Sequence, residues 1–148
     1  MENPDPLALE EQVCFALAVA SRTVIAAYRP MLEPLGLTHP QYLVMLALWQ
    51  HDKVGVKRLS ELLHLEPATL SPLLKRLEQT GLLVRARSLH DERSLEITLT
   101  KEGRAMRARA VDVPPAMIAR IEMSVDDLQR TNAVLHHIID AASMARSA

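Results

Sequence analysis

Residues 54–103, VGVKRLSELLHLEPATLSPLLKRLEQTGLLVRARSLHDERSLEITLTKEG, constrain the fold more than any other part of the chain. Leu70, Leu73, Leu74 and Leu77 recur at i, i+3, i+4 and i+7, the spacing of one buried helix face. Thr69, Ser71, Lys75, Arg76 and Gln79 fall on the other face. A shorter helix over 57–63 precedes it, separated by a turn around 64–67. Pro72 has no N–H to give, so the second helix is expected to begin close to it, near Thr69 or Ser71. Gly81 is its expected stop. LLVRARS and LEITLT then alternate apolar and polar residues as two strands, joined by the charged tip LHDER. Helix, turn, helix and hairpin in that order predict a mainly α chain with a small β-hairpin wing, a winged helix-turn-helix.

The flanks read as helices around this lobe. Residues 7–28 place apolar side chains at 9, 13, 16, 17, 20, 24 and 27, and Ala18, Val19, Ile25 and Ala26 extend the apolar surface to a second face. A helix apolar most of the way round must be covered on more than one side, and a second subunit is the expected cover. RPMLEPLGLTHPQ follows as a loop punctuated by Pro30, Pro34, Gly36 and Pro40. Thr38 and Gln41 form a capping box for a helix over 39–51, with Leu43, Leu46 and Ala47 facing inward. After Gly103 the helical pattern resumes and breaks at Val113-Pro114-Pro115. A last helix over 126–146 carries Leu128, Ala133, Leu135, Ile138, Ile139 and Ala142. The 148 residues suit one domain. Within it, 7–35 and 112–148 are expected to dimerise and 39–105 to form the winged lobe.

Charge is unevenly spread over this plan. The formal net charge is −1, yet residues 53–93 carry eight Lys/Arg against five Asp/Glu, and the rest nine against thirteen. A basic middle between acidic flanks suits a binding module set in a larger scaffold. No unbroken apolar run reaches the roughly 18 residues needed to span a bilayer. The first residues, MENPDPLALEEQ, lack the basic start of a signal peptide, so no membrane partner is expected and the cytoplasm is the default.

Three groups of residues could carry chemistry. The 69–76 face, with Thr69, Ser71, Pro72, Lys75 and Arg76, reads either as an ordinary solvated surface or as a recognition helix for a DNA major groove. The hairpin behind it favours DNA. Arg85 and Arg87 on the leading strand suit phosphate contacts, and Asp91 and Arg93 lie in a tip placed for a minor groove or its flanks. Cys14, the only cysteine, is either a small buried hydrophobe or a reactive thiol. In a helix starting near residue 7 it lies about two turns in, where the dipole has faded, and Glu10 and Glu11 oppose its ionisation. Any activation must come from elsewhere, and Tyr28, His39 and Tyr42 are donors grouped around the 30–42 loop. The six histidines show no metal-ligand spacing, and neither metal nor cofactor is expected. A thiol enzyme is the alternative class. It lacks an orienting third group and a glycine-built oxyanion site, and it leaves the basic helix without a purpose.

These residues also carry a family resemblance. QVCFAL, YRPMLEPLGLTHPQYLVMLALW, TLSPLLKRLEQTGLLVRARS, DERSLEITLTKEG and AVDVP are similar to the MarR family of dimeric winged-helix regulators, and within it to the organic-hydroperoxide-responsive OhrR branch. The resemblance spans residues 12–114. It implies a homodimer on a pseudo-palindromic operator, with Cys14 as the sensing thiol and organic hydroperoxide as inducer. It also implies that tyrosines of the partner subunit contact the cysteine. Tyr28 matches one such position. His39 stands where the branch usually has a second tyrosine, and Ala18 where it often has a third. With no second cysteine in the chain, an oxidised Cys14 would pass to a small cellular thiol, form a sulfenamide or oxidise further. The runner-up function is a MarR regulator released by a small phenolic ligand.

Overall fold

The computed structural model describes residues 4–91 and 93–147, so Glu92, counted above in the basic segment and the wing tip, lies outside the described residues. The chain divides into two compact units, Met1–Val111 and Asp112–Ala148.

In the first unit a 3-10 turn at Leu9–Glu11 leads into α1 (Val13–Leu32). This corrects the expected 7–28 at both ends. Pro6 and the 3-10 turn delay the start, and at the other end α1 runs through Pro30, which removes the N–H that would have met the Ala26 carbonyl. A second 3-10 turn (Glu33–Leu35) ends at Gly36, whose φ of 67° is a left-handed conformation suited to glycine. By average hydropathy rather than unbroken runs, Val13–Leu35 is long and apolar enough to cross a membrane, at a mean hydropathy of 1.2. Arg22 and Arg29 interrupt that stretch.

α2 (His39–Gln50) starts at the expected capping box. Thr38 Oγ1 accepts the Gln41 N–H at 3.4 Å, and Gln41 Oε1 accepts the Thr38 N–H at 3.0 Å. Its buried side differs from the expected one: Tyr42, Val44, Met45 and Leu48 are inside with Ala47, while Leu46 is 40% exposed. β1 (Lys53–Gly55) follows, a strand too short to register as alternation in the sequence. Then come α3 (Val56–Leu63) and α4 (Pro67–Gln79). The turn between them closes with His64 left-handed (φ 53°, ψ 40°), the Leu65 N–H on the Ser60 carbonyl, and Ser60 Oγ donating to the Leu65 carbonyl at 2.7 Å. α4 begins at Pro67, not near Thr69 or Ser71. Pro67 supplies the first-turn proline, and Pro72 sits inside the helix, leaving the Ala68 carbonyl without its usual donor. Gly81 (φ 80°) ends α4 as expected, donating to the Glu78 carbonyl while Leu82 donates to that of Leu77.

β2 (Leu83–Arg87) and β3 (Leu95–Leu99) form the hairpin, and the sheet is antiparallel in the order β1-β3-β2. Leu83 pairs with Leu99 and Arg85 with Ile97, which turns Leu83, Ile97 and Leu99 into the core. There they join Leu59 and the α4 residues Leu70, Leu74 and Leu77, each at most 1% exposed. α5 (Lys101–Ala110) starts before Gly103, not after it, because Thr100 caps it by accepting the Gly103 N–H. Gly103 is required there: a Cβ would lie 2.1 Å from the Leu82 carbonyl oxygen. Its own carbonyl accepts Trp49 Nε1 at 2.9 Å.

The second unit is α6 (Val113–Ile121), begun at the expected Pro114-Pro115, and α7 (Val125–Ser147). Ser124 and Asp127 join at the start of α7, where Ser124 Oγ accepts the Asp127 N–H and donates to its carboxylate. No residue of α7 is buried.

Candidate nucleic-acid interface and thiol site

The buried leucines of α4 fix what its other face presents. With Leu70, Leu74 and Leu77 in the core, Thr69, Ser71, Pro72, Lys75 and Arg76 are all exposed. Among the described residues, Lys75 and Arg76 make no ion pair, so their charges face solvent. Arg87 is likewise exposed at the end of β2.

The wing tip is built by Asp91. Its carboxylate accepts the Arg93 N–H at 3.0 Å and Ser94 Oγ at 3.1 Å, while Ser88 Oγ receives the His90 N–H and donates to Glu96 at 2.6 Å. Glu96 also pairs with Lys53 at 2.9 Å, and these donors hold its carboxyl below the usual carboxylate range, the Ser88 hydrogen bond foremost. Asp91 therefore shapes the tip, and Arg93 is carried exposed on it.

Arg85 is placed differently from Arg87. Its guanidinium meets Glu78 Oε1 at 3.1 and 3.3 Å, and its backbone N–H donates to Glu78 Oε2 at 2.8 Å. That backbone hydrogen bond, then the side-chain bonds, hold the Glu78 carboxyl low. The pair ties the end of α4 to the first wing strand. Sequence reasoning gave Arg85 to phosphate and missed Glu78, although Glu78 lies seven residues before Arg85, across the turn.

Cys14 is exposed and falls in the first turn of α1, not two turns in. The N-cap residue Gln12 makes no side-chain cap, since its Nε2 is turned back to the carbonyls of Pro6 and Ala8. The first-turn N–H groups are thus left open beside the sulfur, at the end of a helix that favours an anion. The expected donors do cluster. The Tyr28 ring lies 5.0 Å from that of His39 and 5.9 Å from that of Tyr42. Burial pushes His39 below its usual range, toward the neutral imidazole. Burial raises both tyrosines, with Tyr28 adding to the shift at Tyr42, so both stay protonated phenols. Tyr28 sits fourteen residues along α1 from Cys14, about 21 Å at 1.5 Å per residue. Within one chain, sulfur and cluster do not meet.

A three-stranded wing behind an exposed, hydroxyl- and cation-bearing helix defines the chain as a winged-helix transcriptional regulator. Residues 26–109 match the family described as transcriptional regulator SarA/Rot. The chain is 42% identical to the organic hydroperoxide resistance transcriptional regulator of Bacillus subtilis (strain 168), over 95% of this chain and 96% of that one. It superposes on reduced AbfR of Staphylococcus epidermidis bound to DNA with a TM-score of 0.79 and 32% identity, covering 92% of this chain and 93% of that one. CouR of Rhodococcus jostii RHA1, bound to p-coumaroyl-CoA, matches with a TM-score of 0.78 and 25% identity over 89% and 94% of the two chains. The chain belongs to the MarR family, with an organic hydroperoxide resistance regulator among its relatives.

Proposed function

We propose that the protein is a homodimeric repressor that binds pseudo-palindromic operator DNA and releases it when Cys14 is oxidised by an organic hydroperoxide. Thr69, Ser71, Pro72, Lys75 and Arg76 enter the major groove. Arg87 and Arg93 reach phosphates or the minor groove, Asp91 shapes the tip that carries Arg93, and Arg85 acts through Glu78. Segments 7–35 and 112–148 hold the dimer, and 39–105 forms the lobe that each subunit applies to the DNA. Localisation is cytoplasmic, as operator binding requires.

The observation that carries the redox reading is the placement of the lone thiol, exposed in the uncapped first turn of α1. The Cys14 thiolate attacks one oxygen of the hydroperoxide, the O–O bond breaks, and the other oxygen leaves as the alcohol after taking a proton. Sulfur is oxidised to the sulfenic acid and the peroxide is reduced. A small thiol can then displace water to form a mixed disulfide. Tyr28, His39 and Tyr42 of the partner subunit lie close enough in the dimer to contact the sulfur, with the phenols and a neutral His39 as hydrogen-bond donors. The loss of the thiolate charge and the bulk added at Cys14 shift the balance between two arrangements of the lobes, by about 1–3 kcal/mol for switches of this kind.

The test is operator binding by fluorescence anisotropy before and after cumene hydroperoxide. Wild type should release DNA and Cys14→Ser should hold it. Equal release by both removes Cys14 as the sensor. A second reading, release by a small phenolic acid or its thioester, is favoured by a groove of about 620 Å³ lined by Arg22, Ile25, Arg29 and His39, and by the ligand bound to CouR. It predicts that a non-oxidising carboxylate releases DNA from Cys14→Ser.

A further inference from the structure

The turn between α1 and α2 sets the spacing of the aromatic cluster, because Tyr28 lies one helical turn before the end of α1 and His39 opens α2. Within the turn the backbone satisfies two carbonyls: the Leu37 N–H donates to Leu32 and the Gly36 N–H to Glu33. The next carbonyl, that of Pro34, is left over. Arg109, in the last turn of α5, donates to it through Nη2 at 2.7 Å. Such a charge-assisted bond is stronger than one between neutral groups. Among the described residues no other hydrogen bond joins α5 to this turn, and Arg109 makes no ion pair.

The other end of α5 is seated where the recognition helix stops. Thr100 donates through Oγ1 to the Gly81 carbonyl at 2.5 Å and through its N–H to the Leu82 carbonyl at 3.1 Å. Gly81 ends α4, and Leu82 leads into β2. Gly103 lies against the same Leu82 carbonyl, and its own carbonyl holds Trp49 of α2. Arg109 is nine residues from Thr100, about 14 Å at 1.5 Å per residue. α5 therefore runs from the junction of α4 and β2 to the turn beside Tyr28 and His39.

We propose that Arg109 is a positioning residue for the release of DNA: its hold on the Pro34 carbonyl ties the turn beside Tyr28 and His39 to α5, and through α5 to the end of the recognition helix. The inference rests on the thiol-sensor reading and deepens it, by naming how a change at the cluster reaches α4. Tyr28 belongs to α1 and His39 to α2, so a change between their rings moves the end of α1 against the lobe. Arg109 is the hydrogen bond that registers that end on α5. A single exposed hydrogen bond has a small net worth, so it can be made in one arrangement of the lobe and broken in the other.

A double-mutant cycle on operator binding tests this without peroxide. The operator Kd is measured by anisotropy for the reduced full chain, for His39→Ala, for Arg109→Met and for the two together. His39→Ala should shift Kd several-fold in the natural chain and little in the Arg109→Met background. Arg109→Lys keeps a donor within reach of Pro34, and there the His39 effect should persist. α2 carries His39 and packs on α4 directly, so a signal passing through α2 alone gives equal shifts in every background and overturns the proposal. No shift in any background overturns it as well. An Arg109→Lys protein that behaves as Arg109→Met does would assign the effect to packing, not to the hydrogen bond, and would also overturn it. After cumene hydroperoxide, Arg109→Met should release DNA several-fold less than the natural chain, and equal release counts against the proposal. If the natural chain itself does not release, the thiol reading fails, while the cycle still decides the role of Arg109.

Discussion

The winged lobe and the long helices α1 and α7 are built from similarly apolar sequence but reach opposite ends. In α4, thirteen residues bury Leu70, Leu74 and Leu77 to 1% exposure or less. In α7, twenty-three residues bury none, and α1 buries only Leu32. The lobe finds its cover in its own chain, where α2, α3 and β2 close over the leucine stripe. The long helices carry apolar stripes that one copy leaves open. A stripe therefore shows that burial is needed but not where the cover comes from.

The sharpest way to break this contrast is to remove a side chain from each region. Leu74→Ala should destabilise the lobe by about 2–5 kcal/mol, because it opens a cavity in a filled core. The loss should appear as a lower urea midpoint for the lobe transition. Val134→Asp on α7, at a position 59% exposed in the single chain, should cost the monomer little. It should weaken self-association at least about tenfold, or ~1.4 kcal/mol, read by sedimentation across a dilution series. A Val134→Asp protein that stays dimeric at low concentration would mean that this face of α7 is not in the interface.

Within the lobe, the two wing arginines sharpen the comparison further. Arg87 is exposed, while Arg85 is held by Glu78. If Arg87 of each subunit neutralises a phosphate, Arg87→Ala should lower the slope of log affinity against log salt by about 1.8 for the dimer. Arg85→Ala should weaken operator binding with the slope unchanged, because it removes a brace rather than a contact. Glu78→Ala should behave as Arg85→Ala does, at a cost of roughly 0.5–1.5 kcal/mol for the lost hydrogen bond to the strand. A fall in salt slope for Arg85→Ala would return that residue to the DNA.

Much of the lobe was legible because its signals are local. The leucine stripe, the Thr38/Gln41 box and the Gly81 stop each depend on residues within one or two turns; the box and the stop stand, and so does the stripe at Leu70, Leu74 and Leu77, with Leu73 only half-buried. Where the reading failed, nonlocal geometry decided. β1 is three residues long and exists only because β3 pairs with it. Gly103 was read as lying ahead of the next helix but belongs to its first turn, and it is the one residue that fits against the Leu82 carbonyl. Pro72 seemed to force a late helix start, yet Pro67 already supplied the first turn. For the site, misplacing the start of α1 moved Cys14 from the first turn to the second. The Tyr28–His39–Tyr42 cluster was legible as a neighbourhood, and its distance from Cys14 within one chain came only with the extent of α1.

The smallest expected effect concerns that cluster and its pH dependence. Burial lowers the His39 pKa from its ordinary 6.5, so the folded protein prefers the neutral ring and binds fewer protons than the unfolded chain. The stability this contributes is present above pH 6.5 and is lost as pH falls through the lower folded value. His39→Gln cannot titrate, so the stability gap between it and wild type should stay constant above neutrality and change in favour of the variant below pH 6.5. Depressed carboxylates such as Glu78 and Glu96, whose ordinary value is 4.5, lose their contribution only at lower pH and leave that window clear. Thermal melts of both proteins between pH 8 and pH 5 check the sign. A gap that moves in favour of wild type on acidification would mean that the folded protein prefers the protonated ring, and His39 would then be a cation source for the sulfur rather than a neutral donor.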